Sequence, residues 1–593
     1  MDVTTLLAAA ALSFAVIWTG VKISSARSFL IFISVCWLIS RGSVVLLFPK
    51  FQLLGDERYF HDFVSRLVSA MAHGQISALS NSYDFPVWLA RSFPFYLPLA
   101  AMFGGSDIVA ARWLNVMLGA GQLICLFFIA RRLMGFRAAR VTCLLLLLFP
   151  YHFINVLSYD PQIAGTFFLL LAVWMFLSGR GVCLGLALLC AGIQRGGIDF
   201  LLIAVMLIVL LIQPSRNRVV CLAAIFVIWL PLRLGFGHWV ASQDASLLRT
   251  HTLGFMTRGW NLDTAGEYLP LYEQLDIASA RPEKQRTLEA VLITEFARQP
   301  VRSLLVLTPI KIAKFFALGY ASTAEQGLAG GGYTRAVRAY QILRSLFAPC
   351  ILTLCLLGVI RCWKSAALQR RLLVPVLLTV LSCGAIVLIW ETSPRYSHPI
   401  QFALLILATA GLTGFSRASR EITIRPRLVL DFASSGAAIA LCWVIVSVGI
   451  VGVARSATNY QFLDPRGISA MLGNRPMPVE PLHSFSSSWE GAIHLPAGTA
   501  LPASVQVSLP QPQTHDWDHL SVSVWLPDGT PDCQVSCRTG KTSVAVPAAA
   551  SGHISRVQVP KSGALTLSIT SSNGQRTTAS ALRVGIGYAL ANP

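Results

Sequence analysis

The sequence predicts an α-helical polytopic membrane protein of about twelve to thirteen transmembrane helices, followed by a C-terminal all-β sandwich domain. Three observations predict it. The mean hydropathy is +0.63 with only 12% charged residues over 593 positions, too apolar for a water-soluble globule. Apolar runs near the length of about 20 residues that a helical crossing needs recur up to residue 455. Beyond 456 the pattern changes to apolar and polar residues in alternation, the period of a half-buried strand.

The apolar runs occupy 4–20, 28–49, 108–130, 141–157, 161–178, 182–194, 197–213, 219–236, 342–360, 372–390, 397–415 and 433–455. The first has no basic segment before it and is followed by Lys22 and Arg27, so it reads as a retained helix and not a cleaved signal. Arg131, Arg132, Arg137 and Arg140, then Arg180, then Arg216 and Arg218, then Arg361, Lys364, Arg370 and Arg371 fill every second loop. Lys and Arg mark cytoplasmic loops, so the intervening loops face outward. The outer side then receives the acidic turn at 56–57, Tyr159-Asp160, Arg195, the long segment 237–341, Glu391 to His398 and everything after 455. Residues 301–320 are apolar but carry Lys311 and Lys314, and are expected to form an interfacial or re-entrant helix. Arg249 to Arg298, with mixed charges at helical spacing, are expected to form short surface helices. The expected division is a membrane domain over 1–455 and an extracytoplasmic β domain over 456–593.

The strands expected there are 504–509, 520–526, 543–546, 565–569 and 582–586, punctuated by Pro, Gly and Asn. The net charge of +20 sits in short loop clusters with no basic stripe or aromatic platform, which excludes nucleic acid as a partner. Of 13 Cys, eleven lie in or beside apolar runs, and no zinc-type spacing occurs. Cys533 and Cys537 fall in a polar stretch and are expected either to close a small disulfide loop or to remain two free thiols.

The chemistry centres on Gly55-Asp56-Glu57-Arg58-Tyr59, which follows the second apolar run directly. A carboxylate at the mouth of a membrane helix sits where the dielectric falls, and there it can act as a base beside a lipid-borne substrate. The simpler reading is that the acids favour the first turn of the next helix.

Four landmarks together resemble the GT-C superfamily of polytopic glycosyltransferases, in particular the branch of the bacterial aminoarabinose transferases of lipid A and the protein O-mannosyltransferases. They are Asp56-Glu57-Arg58-Tyr59, Phe103-Gly104-Gly105-Ser106-Asp107 leading into Ala111-Arg112-Trp113-Leu114-Asn115, Ser158-Tyr159-Asp160-Pro161, and Pro394-Arg395-Tyr396-Ser397-His398-Pro399. There are departures. Where the aminoarabinose enzymes carry Glu-Lys-Pro this chain has Asp84-Phe85-Pro86, and their Lys-Gly appears as Gln194-Arg195-Gly196.

The resemblance implies transfer of a sugar from a polyprenyl-phosphate donor to a glycan, lipid or protein acceptor of the cell envelope. It places the active site on the outer face of a bacterial inner membrane. It implies Asp56 as general base, with Glu57 beside it in a structural role. Arg195 and Arg395 are expected to grip the lipid phosphate, because guanidinium binds phosphate with two parallel hydrogen bonds. Arg58, Tyr59, Asp84, Asp160, Tyr396 and His398 are expected to line the substrate site. No cofactor and no metal are expected, although Asp56, Glu57, Asp84 and Asp160 offer oxygens that suit a divalent cation. The alternatives are a lipid-linked polysaccharide polymerase or ligase, which would not explain the early acidic pair, and a flippase, which should show internal repeats.

Overall fold

The computed structural model describes residues 15–53, 56–73, 85–104, 107–194, 198–243, 300–316, 327–328, 331–363, 365–388 and 398–413, and eleven strands with their near neighbours between 469 and 589. The chain divides into two compact units. One comprises 1–251, 312–388 and 393–449, and the other 252–311, 389–392 and 450–593.

The first unit is helical. Helix α1, Ala26–Leu47, starts on the Ser25 hydroxyl, which accepts the Ser28 N–H, and stops before Pro49. Its buried residues, Phe29, Ile33, Trp37, Arg41 and Val45, recur every four positions and form one stripe. Helices α2 (Asp56–Ala72), α3 (Phe85–Ser92) and α4 (Tyr96–Phe103) precede α5, Asp107–Met134. Stripe and α5 interlock at Trp37, whose indole N–H donates to the Val116 carbonyl at 3.0 Å. Gly119 leaves room for that ring, since a Cβ there would overlap it.

The expected crossing at 141–157 is not one straight helix. Helix α6 (Phe136–Leu148) is followed by α7 (Tyr151–Ile154) and a 3₁₀ turn (Asn155–Leu157), with a 62° bend between the two segments. Pro150 is the cause, because it has no N–H to continue the ladder and its ring clashes with the carbonyl four residues back. The break frees helical carbonyls in an apolar setting. Arg41, fully buried, donates to the Leu147 carbonyl at 2.7 Å and lies over the rings of Trp37 and Phe153, at 4.3 and 3.6 Å.

Helices α8 (Gln162–Ser178), α9 (Gly181–Gln194) and α10 (Ile198–Ile212) follow. Gly179, at φ 74°, takes the left-handed conformation that ends α8 and turns the chain into α9. Helix α11 (Arg216–Ala224) continues through a π-helical turn, Ile225–Trp229, into α12 (Leu230–Gln243). Helix α13, Pro300–Phe315, whose residues up to 311 belong to the other unit, covers most of the expected interfacial or re-entrant segment. Helices α14 (Thr334–Trp363), α15 (Ala366–Leu388) and α16 (His398–Thr413) follow.

Five of the described helices are long and apolar enough to cross a membrane, six if the bent pair is one span. Four shorter apolar helices, 162–178, 181–194, 198–212 and 400–413, coincide with expected crossings. The protein is therefore a multi-pass membrane protein. The expected crossing at 433–455 and the surface helices over 249–298 lie outside the described residues.

Helices α14 and α16 touch backbone to backbone. A Cβ on Gly358 would overlap the Leu407 carbonyl, and one on Gly411 would overlap that of Leu354. Small residues let membrane helices approach this closely. A Gly358→Ala chain is accordingly expected to lose about 1–3 kcal/mol, the usual cost of overpacking, read as a lower thermal unfolding midpoint in detergent. An unchanged midpoint would show that the pair can spread without cost.

The second unit contains two antiparallel sheets. Their strands are β1 (Ser469–Leu472), β2 (Arg475–Met477), β3 (Val479–Pro481), β4 (Gly491–Leu495), β5 (Ala503–Ser508), β6 (His519–Trp525), β7 (Cys533–Thr539), β8 (Thr542–Val546), β9 (Ser555–Pro560), β10 (Ala564–Ser571) and β11 (Leu582–Ala589). The six-stranded sheet runs β2-β1-β5-β10-β7-β8 and the five-stranded one β3-β4-β11-β6-β9. All five expected strands are present. Val505, Val507, Leu567 and Ile569 are buried, so one face of the larger sheet is covered, as the alternation requires.

The disulfide loop expected between Cys533 and Cys537 is overturned by β7. Both residues belong to this one strand, in continuous register with β10 from Ser571 to Thr566. Four residues of extended chain separate their Cα atoms by about 13 Å at 3.3 Å per residue, and a disulfide tolerates no more than about 7 Å.

Candidate active site

Helix α2 begins at Asp56, so Asp56 and Glu57 occupy its first turn, where the helix dipole favours negative charge. Glu57 is 7% exposed, and its charge acts on both Arg112 and Tyr96. The side chains of Asp56 and Tyr59 lie outside the described residues. Arg58 is turned away from Glu57: it is 64% exposed and pairs with Asp62 one turn on, at 3.8 Å. Such an exposed pair contributes little to stability.

Arg112 and Asn115, three positions apart on one face of α5, tie the surrounding turns together. Arg112 is buried and gives its guanidinium to the carbonyls of Phe51 (3.0 Å), Leu157 (3.3 Å) and Pro49 (3.5 Å). Asn115 donates its amide to the carbonyls of Ser158 (2.6 Å) and Val156 (3.3 Å). The amide oxygen of Asn115 accepts from the Tyr96 hydroxyl at 3.3 Å, and that hydroxyl also meets the Asp160 carbonyl at 2.8 Å. The segment leading to Asp56 and the turn bearing Asp160 are thus held against the same helix end. The Asp160 carboxylate accepts the Gln162 N–H at 2.9 Å, an Asx turn that leads into α8, so this acid also shapes the turn it stands in.

Beside this clamp, Asp107 opens α5 and is 1% exposed. One of its oxygens accepts from His61 Nε2 at 3.1 Å and the other from the Tyr159 hydroxyl at 3.1 Å. The hydrogen bond to Asp107 is the main cause of an upward shift of the His61 pKa, against the opposing effect of burial. Burial, then the Asp107 charge, pushes the Tyr159 phenol up. Burial does the same to Tyr96, with Asp160, Tyr159 and Glu57 adding to it. Both phenols therefore remain neutral donors. Tyr159 packs against Phe60, His61 and Tyr96 at ring separations of 5.7, 5.0 and 4.9 Å, inside an apolar cluster with Val64 and Leu67.

Of the expected site residues, the structure brings Glu57 and Asp160 to one end of the helical unit and turns Arg58 outward. Asp84, Arg195, Arg395 and Tyr396 lie outside the described residues, and so does the side chain of His398, the first residue of α16. His61, Tyr96, Asp107, Arg112 and Asn115 were not expected there. Arg112, Asn115 and Asp107 do stand in the quoted motif, but nothing in its spacing distinguishes a clamp from a helix entry. Among the described residues no group of three or more His, Cys, Asp or Glu is arranged to hold a metal ion.

No protein-family model matches the chain, and no curated protein does. Solved structures do. ArnT from Cupriavidus metallidurans, bound to undecaprenyl phosphate, is 15% identical over 65% of this chain and 77% of its own, with a TM-score of 0.32. The Archaeoglobus fulgidus oligosaccharyltransferase tethered to an acceptor peptide is 14% identical over 73% of this chain, with a TM-score of 0.37. The oligosaccharyltransferase AglB of the same organism, in complex with an inhibitory peptide and a dolichol-phosphate, is 14% identical with a TM-score of 0.36. This chain spans just over half of the chain in each of the two archaeal structures, 55% and 56%.

Proposed function

We propose that this chain is a GT-C-type membrane glycosyltransferase, moving a sugar from a polyprenyl-phosphate donor to a cell-envelope acceptor on the outer face of the membrane. The observation that carries the reading is the clamp made by Arg112 and Asn115, which holds the approach to the acidic first turn of α2 and the Asp160 turn at one helix end. An acid pair that only capped a helix would need no second acidic turn fixed beside it.

In this mechanism Asp56 takes the proton of the acceptor hydroxyl as that oxygen attacks C1 of the sugar. The bond from C1 to the phosphate oxygen breaks, and the lipid phosphate departs with the electron pair. Phosphate needs no acid to leave, so one carboxylate suffices, unlike the two of the glycosidases. Arg195 and Arg395 hold the departing anion and stabilise the charge that develops on it. Glu57 has a structural part, as its burial beside Arg112 supports. Asp160 binds hydroxyls of sugar or acceptor.

The test uses the purified full chain in liposomes with radiolabelled polyprenyl-phosphate hexoses and pentoses, and a cell-envelope extract as acceptor. Release of free polyprenyl phosphate that depends on the acceptor is the expected result. No release above a protein-free blank with any of these donors would sink the transferase reading.

A further inference from the structure

The buried carboxylate of Asp107 is engaged on both oxygens from outside its own helix, by His61 on α2 and by Tyr159 on the turn before Asp160. It therefore joins three separate pieces of chain. His61 lies one helical turn beyond Glu57 and on the same face. Whatever fixes the His61 ring fixes the direction in which the first turn of α2 points. We propose that His61 is a positioning residue for sugar transfer, which through Asp107 and Tyr159 sets how the turn bearing Asp56 and Glu57 meets the turn bearing Asp160. This inference rests on the transferase reading above.

The geometry assigns the protons. An ionised carboxylate only accepts, so Nε2 must carry the hydrogen shared with Asp107, and Nδ1 is the nitrogen that titrates. Nδ1 faces the Asp62 carboxylate at 3.5 Å, at a half-exposed rim where protons exchange with water. The Nε2–H bond to Asp107 thus persists in both protonation states, and in the imidazolium the donor carries a charge as well, which adds ion-pair attraction to it. Asp107 and Asp62 are the charges that act on the ring, and Tyr159 on the facing turn packs against it at 5.0 Å; Glu57 and Arg58 on its own helix, Tyr96 on α4 and Arg91 on α3 are the other titratable groups of the elements packed together here. Asp107 dominates the upward shift in the pKa of His61. The linkage has a definite sign. The stabilisation is complete below the ordinary histidine value near 6.5 and is lost as pH rises through the higher folded value.

Two measurements on the full chain test this. The first is the thermal unfolding midpoint against pH: wild type should exceed His61→Gln most on the acid side of 6.5, with the gap closing as pH rises. The second is transfer against pH. Wild type should lose kcat on the alkaline side, whereas His61→Gln, which keeps an N–H for Asp107 but cannot titrate, should lack that limb. Its kcat should be about 3- to 10-fold lower than wild type in acid, the rate equivalent of about 1 kcal/mol of hydrogen bonding, with KM unchanged. His61→Leu should fall further, so that Gln acts as a partial rescue. A His61→Gln profile that keeps the wild-type alkaline limb overturns the positioning role while leaving the transferase reading intact. An inactive wild type that still shows the thermal signature overturns the transferase reading, and the positioning role with it.

Discussion

An Asp56→Asn chain is expected to transfer sugar about 10²- to 10⁴-fold more slowly than wild type at saturating donor, the range that a positioned general base supplies. The substitution is nearly isosteric and leaves the first turn of α2 with a polar side chain, so folding should be preserved. What it removes is the one group assigned to accept the acceptor hydroxyl proton. KM for the donor should change little, because Asp56 is given no contact with the lipid phosphate. The measurement is single-turnover release of polyprenyl phosphate, with the thermal midpoint as control. A rate within threefold of wild type would take the base role from Asp56. Glu57→Gln should behave differently, since Glu57 is buried with its charge acting on Arg112 and Tyr96: its main loss should be in stability.

Arg112→Met should destabilise the helical unit by about 3–5 kcal/mol, the usual cost of breaking a buried charged contact by removing one partner. The Met chain fills the volume of the arginine stem but offers no donors. The carbonyls of Pro49, Phe51 and Leu157 then lose their guanidinium, and Glu57 loses the attraction of its charge. Arg112→Lys should recover little, because one ammonium cannot span three carbonyls from two different turns. Thermal unfolding in detergent reads the stability, and limited proteolysis between 48 and 57 reads the release of the segment. A variant that melts with wild type and resists protease equally would mean the clamp holds nothing.

Much of the architecture was legible because membrane helices and half-buried strands each impose a periodicity. Five strands and most apolar spans appear where hydropathy puts them. The bend after α6 was hidden by composition: 141–157 is apolar enough to read as one span, and the single Pro150 inside it governs the backbone without changing the average. Cys533 and Cys537 misled for a related reason. Spacing in sequence says nothing of distance until the conformation between is known, and here it is fully extended.

The site was legible only in part. Asp56 and Glu57 stand out as charges at the edge of an apolar run, and Asp160 as an acid in a short turn. His61, Asp107 and Tyr159 meet across 46 and 52 positions of chain, a separation that no local pattern encodes. Arg112 and Asn115 address main-chain carbonyls, which every residue carries, so no sequence feature marks their partners.

The strand order of the β domain bears on how it is made. β10 lies inside the larger sheet between β5 and β7, and β11 inside the smaller one between β4 and β6. Neither sheet can close until residues 564–589 have been synthesised. During synthesis the earlier strands therefore wait with open edges, which are the templates on which chains aggregate. A ribosome stalled before 564 should yield a nascent chain that recruits chaperones, whereas the released full-length chain should not.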